Sequence, residues 1–127
     1  MNYPDNPTKI PTIIAARPGG IRKSLRATLE SIPWLEIRGI ANGGLSAMSL
    51  VREYKPLFLI IDSGLLQEEI EMLLQKTKQE QKKIMCLVVA ETSRQQQILT
   101  DSGADRVILR SEPTERLIES LEELSIL

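Results

Sequence analysis

The chain reads Leu-Phe-Leu-Ile-Ile-Asp from residue 57 to residue 62. Five consecutive apolar residues, several of them aromatic or β-branched, are typical of a short strand that is covered on both faces. The run ends on a carboxylate, Asp62, and Ser-Gly follows it. In open α/β sheets, functional side chains lie beyond the carboxyl ends of the strands. This stretch therefore predicts a buried parallel strand with a candidate site residue at its end.

Runs of the same kind recur along the chain, with amphipathic stretches at helical spacing between them. The predicted strands are 11–16, 35–40, 57–62, 84–90 and 106–110. Apolar residues that recur every three or four positions predict helices over 21–32, 47–53, 66–74, 93–102 and 117–124. Strands that alternate with helices predict an α/β fold with a doubly wound parallel sheet.

Turn signals agree with this division. Gly19 and Gly20 lie between the first strand and the first helix, and Ser102-Gly103 ends the fourth helix before the fifth strand. Pro113 lies near the start of the last helix, where its missing N–H costs nothing.

Length and composition limit the classes of protein to which this chain could belong. The chain has 127 residues, which is one ordinary domain, and we expect a flexible tail over 1–9 and a folded domain over 10–124. Its net charge of −1 argues against direct nucleic-acid binding and against binding to anionic membranes. It has one cysteine, no histidine and no apolar run long enough to span a bilayer. We therefore expect a cytoplasmic protein without a disulfide framework or a histidine-based metal or catalytic site.

The strand-end rule selects the candidate site residues. They are Ala15, Ala16 and Arg17 at the end of the first strand, Asp62 at the end of the third, Ala90 and Glu91 at the end of the fourth, and Arg110 at the end of the fifth. Glu91 could supply a second acid, but we expect it to be exposed on a loop.

Several segments in this order resemble the response-regulator receiver domain. Residues 21–31 resemble its first helix, 37–43 its second strand and the turn after it, 55–62 its third strand with the phosphoacceptor aspartate, and 102–111 its fifth strand with the flanking turns. The likeness covers residues 10–124, and its pattern is most similar to receivers that precede a helix-turn-helix domain. It implies a flavodoxin-like (βα)5 fold with strand order 2-1-3-4-5, and it makes Asp62 the phosphoacceptor equivalent.

The resemblance also implies site residues that this chain does not have. Receivers hold Mg²⁺ with two adjacent acids after the first strand, where this chain has Ala15 and Ala16. The receiver Ser or Thr after the fourth strand corresponds to Ala90, and the lysine after the fifth corresponds to Arg110. Arginine keeps the positive charge but presents a planar fork instead of a point charge. We therefore predict a pseudo-receiver with no metal and no cofactor.

The charges of the candidate site residues limit which ions could bind between them. Asp62 with Arg17 and Arg110 as neighbours would give a local sum near +1, which repels Mg²⁺ and favours an ion pair between Asp62 and an arginine. Two interpretations of the arginines remain open at this stage. They are either solvated surface charges, or side chains that clamp Asp62 or bind an anion.

The functional prediction is a non-enzymatic signalling module that binds protein partners without being phosphorylated. A kinase or another signalling protein is the expected partner, and a homodimer is compatible with the amphipathic, acidic last helix. Two alternatives stay open: a phosphoacceptor response regulator that uses Asp62 with Mg²⁺, and the receiver part of a DNA-binding transcriptional regulator.

Overall fold

A computed structural model describes residues 9–126. The strands are β1 (Ile10–Ala15), β2 (Leu35–Ala41), β3 (Phe58–Asp62), β4 (Met85–Ala90) and β5 (Arg106–Leu109). The helices are α1 (Gly20–Glu30), α2 (Gly44–Tyr54), α3 (Gln67–Glu80), α4 (Ser93–Asp101) and α5 (Thr114–Ser125). All but Lys9 of the predicted flexible tail lies outside the described residues.

The strands form one parallel sheet in the order β2-β1-β3-β4-β5. This order confirms the predicted doubly wound α/β fold. The chain winds outward from β1 first to β2 and then back across β1 to β3, so the strand order reverses next to β1 and β3. Asp62 ends β3 at this reversal, which is where open α/β sheets place their sites.

Helices cover both faces of the sheet. Leucines of α1 and α5 pack on one face with Phe58, Ile60 and Leu87, whereas apolar residues of α2, α3 and α4 pack on the other face with Leu59, Ile61 and Cys86. All five residues of β3 are buried, which agrees with its continuous apolar run. No helix within residues 9–126 has both the length and the apolar character needed to cross a membrane.

The ends of the elements shift by a few residues from their predicted positions. α2 begins at Gly44 and not at residue 47, and β5 ends at Leu109, so Arg110 begins the loop after it. Gly103 has φ 109°, a left-handed conformation that glycine adopts without strain and that ends α4 as predicted. Pro113 immediately precedes α5, where no helical hydrogen bond from its nitrogen is needed.

Candidate functional site

The carboxylate of Asp62 is fixed by two hydrogen bonds at the end of β3. Its Oδ2 accepts from the backbone N–H of Gly64 at 2.9 Å, and its Oδ1 accepts from Nη2 of Arg110 at 2.6 Å. Asp62 is only 4% exposed. A buried carboxylate is costly unless it is paired and hydrogen-bonded, and Asp62 meets both conditions.

Arg110 is placed by the fifth strand. Its backbone N–H donates to the carbonyl of Ala90 at 2.7 Å, which holds it beside the end of β4. Its guanidinium contacts Asp62 through Nη2 and Glu91 through Nη1. Partial burial lowers the pKa of Arg110, but the two carboxylates raise it by more, so the net shift is upward. Arg110 therefore carries a permanent positive charge between two acids.

Arg17 does not join this ion pair. Its Nε donates to the carbonyl of Gly64 at 3.1 Å, and its Nη2 lies 3.4 Å from Oε1 of Glu69. Its side chain is about half exposed. Of the two arginines considered as neighbours of Asp62, the structure brings only Arg110 into contact with it.

Glu69 joins the starts of two helices beside the site. Its Oε2 accepts from the N–H of Gly44 at 3.0 Å, and its Oε1 accepts from the N–H of Leu66 at 3.1 Å. These bonds satisfy donors at the N-termini of α2 and α3 that have no partner within their helices. The same bonds are the main cause of a pKa for Glu69 below its ordinary value.

We expect Glu69→Gln to lower the free energy of unfolding by about 1 kcal/mol at neutral pH, because a neutral amide accepts the two N–H bonds more weakly. The pKa of Glu69 is depressed in the folded state, so its contribution is complete above the ordinary value of 4.5 and is lost as the pH falls through the folded value. Urea unfolding at neutral and at strongly acidic pH should show a difference that disappears in acid.

Glu68→Gln is the matched control, because Glu68 lies next to Glu69 in the same first turn and is exposed. An equal loss in both variants would show that the helix N-terminus merely favours negative charge in general.

Three small residues lie where a phosphoryl site would need polar groups. Ala15, Ala16 and Ala90 are essentially fully buried at the ends of β1 and β4, and their methyl groups offer no oxygen. Mg²⁺ requires near-octahedral oxygen ligands, and both oxygens of Asp62 already accept hydrogen bonds. Within residues 9–126, no group of three acidic, cysteine or histidine residues could hold a metal. The residues at this site do not fit Mg²⁺.

The local charge differs from the sequence-based value near +1. Arg17 is held by Gly64 and Glu69, and Glu91 is drawn in by Arg110. Two carboxylates around one guanidinium leave one negative charge. Net repulsion therefore does not exclude a cation from the pocket. A cation would instead have to compete with Arg110 for Oδ1 of Asp62.

The sequence did not indicate the contacts that two acids, Glu91 and Glu69, make beside the site. Glu91 was expected to be an exposed loop residue, and it is exposed, but it also pairs with Arg110. Glu69 was one of several acids in a predicted amphipathic helix. Its position in the first turn, three residues after the residue that precedes the helix, was the available signal for a capping role.

The fold of this chain has counterparts among solved structures. The signal receiver domain of the response regulator NarL from Mycobacterium tuberculosis superposes with a TM-score of 0.80 at 13% identity, over 92% of this chain and 96% of that one. This chain has the receiver fold. No protein-family model and no curated protein sequence matches it.

Two further receiver structures show the same likeness. RcsB from Salmonella typhimurium gives a TM-score of 0.80 at 16% identity, over 93% of this chain and 62% of the RcsB chain. A LuxR-family DNA-binding response regulator from Staphylococcus aureus gives 0.75 at 22% identity, over 91% and 98%. In this receiver fold, Asp62 is the last residue of β3, and Arg110 directly follows the last residue of β5.

Proposed function

We propose that this chain is a receiver-like signalling module that binds protein partners in the cytoplasm and acts without phosphorylation of Asp62. The observation that supports this proposal most strongly is the 2.6 Å contact between Nη2 of Arg110 and Oδ1 of Asp62. The guanidinium occupies one carboxylate oxygen, which a phosphoacceptor would need for a metal ion or for the incoming phosphoryl group.

The donor set gives independent support. Phosphoryl transfer is catalysed mainly by positioning and by charge neutralisation, for which metal ions are the usual means. Ala15 and Ala16 cannot ligate a metal, and Ala90 cannot donate a hydrogen bond to a phosphoryl oxygen from its side chain. We therefore assign the module no catalytic residue and no cofactor.

Protein recognition is the activity that remains for such a module. The last helix, α5, has a buried face of Leu117, Leu121 and Leu124 and an outer face rich in glutamate. Its leucines pack on the sheet, so its partners would meet the acidic face. We propose a kinase or another signalling protein as the partner, with homodimerisation as a second mode of association.

Sedimentation velocity and capture of partners from cell extract test this part of the proposal. We expect self-association or a specific partner whose binding is unchanged in Asp62→Asn, because that variant retains the shape of the carboxylate but cannot be phosphorylated. A strictly monomeric chain without a partner, or a partner lost in Asp62→Asn only after treatment with a phosphodonor, would contradict it.

Two observations favour the alternatives. Asp62 lies at the end of β3, so a phosphoacceptor role with Mg²⁺ would use it as the nucleophile. RcsB, one of the similar structures, has been determined bound to a promoter in the presence of the phosphomimetic beryllofluoride, and this chain spans 60% of that RcsB chain. The second alternative is therefore the receiver part of a DNA-binding transcriptional regulator.

A further inference from the structure

A cavity of about 160 Å³ lies between α1, the ends of the sheet strands and the start of α5. Its apolar wall includes Leu25, Val89, Ile108 and Leu117, which retain 5–8% exposure although they belong to the core. Asp62 and Arg110 line the same cavity. The incomplete packing of these residues marks a space that the protein's own side chains leave open.

Hydroxyl groups add uncharged polar atoms to the lining of the cavity. Ser24 and Thr28 are four residues apart on α1, so they share the helix face that carries the cavity, and Thr114 lies at the start of α5. Within residues 9–126 no protein group bonds these three hydroxyls, whereas four other helical hydroxyls, those of Ser46, Thr77, Thr100 and Ser125, bond to backbone carbonyls. Donors and acceptors on two helices are therefore available to a bound molecule.

We propose that this cavity is a binding site for a compact, uncharged molecule of about the size of one aromatic ring that carries a hydroxyl or carbonyl oxygen. An apolar cavity of about 150 Å³ is known to hold benzene, which sets the size of the ligand. The apolar wall receives the ring, and Thr28, which is less exposed than Ser24 and Thr114, bonds the oxygen.

The charges around the cavity select against anions. Asp62 and Glu112 both line it, and Arg110 is the cation that faces them there. The guanidinium is already shared between Asp62 and Glu91, so a ligand carboxylate would gain little from Arg110 and would be repelled by the acids. This inference rests on the cavity and goes beyond the proposed function.

Titration of the full chain with phenol, followed by the backbone amide shifts, tests the proposal. We expect saturable shifts centred on Leu25, Ile108 and Leu117, with a dissociation constant on the order of 1 mM for so small a ligand. Benzoate, which has a similar ring but a negative charge, is expected to bind at least about tenfold more weakly.

Two variants locate the site. Ser24→Leu fills the cavity from α1 and is expected to weaken phenol binding at least about tenfold, whereas Ala27→Leu, an exposed position on the same helix outside the cavity, leaves it unchanged. Thr28→Val removes a hydroxyl while it keeps the side-chain shape, and a several-fold loss is expected even if Ser24→Leu fails to fold.

Three results would overturn the proposal. They are an absence of saturable shifts with phenol, equal binding of phenol and benzoate, or equal binding by the wild-type chain, Ser24→Leu and Thr28→Val.

Discussion

Arg110→Ala is expected to lower the free energy of unfolding by about 2–3 kcal/mol. The variant leaves the carboxylate of Asp62, only 4% exposed, without its positive partner. Breaking a buried pair by removing one partner costs about 3–5 kcal/mol, and the partial exposure of Arg110 reduces this value. Urea unfolding at neutral pH measures the change.

Two comparisons separate loss of the pair from loss of the side chain. Asp62→Asn in the Arg110→Ala background removes the unpaired charge, and it is expected to restore part of the lost stability. Arg26→Ala breaks an exposed pair with Glu30 and is expected to cost less than about 0.5 kcal/mol. If Arg110→Ala cost no more than Arg26→Ala, the ion pair would not hold Asp62 in place.

Gly64→Ala is expected to lower the free energy of unfolding by about 1–3 kcal/mol. A Cβ atom at this position would lie 2.8 Å from Oδ2 of Asp62, closer than real contacts allow. Arg110 holds that carboxylate from the other side, so the loop must move, and the hydrogen bond from the Gly64 N–H weakens with it. The stability difference is again measured in urea.

Gly20→Ala is the matched control, because a Cβ atom there meets nothing within 4 Å and the residue begins α1. Alanine is the better helix former, so this variant is expected to be neutral or to gain up to about 1 kcal/mol. Similar losses in both variants would mean that the crowding around Asp62 is not the cause.

The fold could be predicted because apolar periodicity is a local property. The run that ends at Asp62 has one compatible environment, a strand covered on both faces, and the helices repeat their apolar residues at a different period. The ends of the elements shift from their predicted positions because they depend on individual capping contacts. At the start of α2, for example, the N–H of Gly44 is bonded by Glu69, which lies 25 residues away in the sequence.

The composition of the site was only partly predictable. The strand-end rule selected Asp62 and Arg110 together, and the structure pairs them. It could not choose between Arg17 and Arg110, because that choice depends on which carbonyls and acids each long side chain reaches. Glu91 carries no sequence signal that separates a paired acid from a solvated one.

The cavity beside the site could not be read from the sequence. Leu25 and Leu117 have the spacing of ordinary core residues, and the size of the gap depends on side chains from five elements, α1, β3, β4, β5 and α5. Packing at this level is fixed only by the assembled structure.

The central proposal is that the ion pair with Arg110 keeps Asp62 from being phosphorylated. Its most direct test is incubation with acetyl phosphate and Mg²⁺, followed by intact mass, with a parallel sample treated with beryllofluoride and read from the amide shifts around Asp62. We predict no adduct and no shift near Asp62. An acyl phosphate on Asp62 that is absent in Asp62→Ala would contradict the account and restore the phosphoacceptor function.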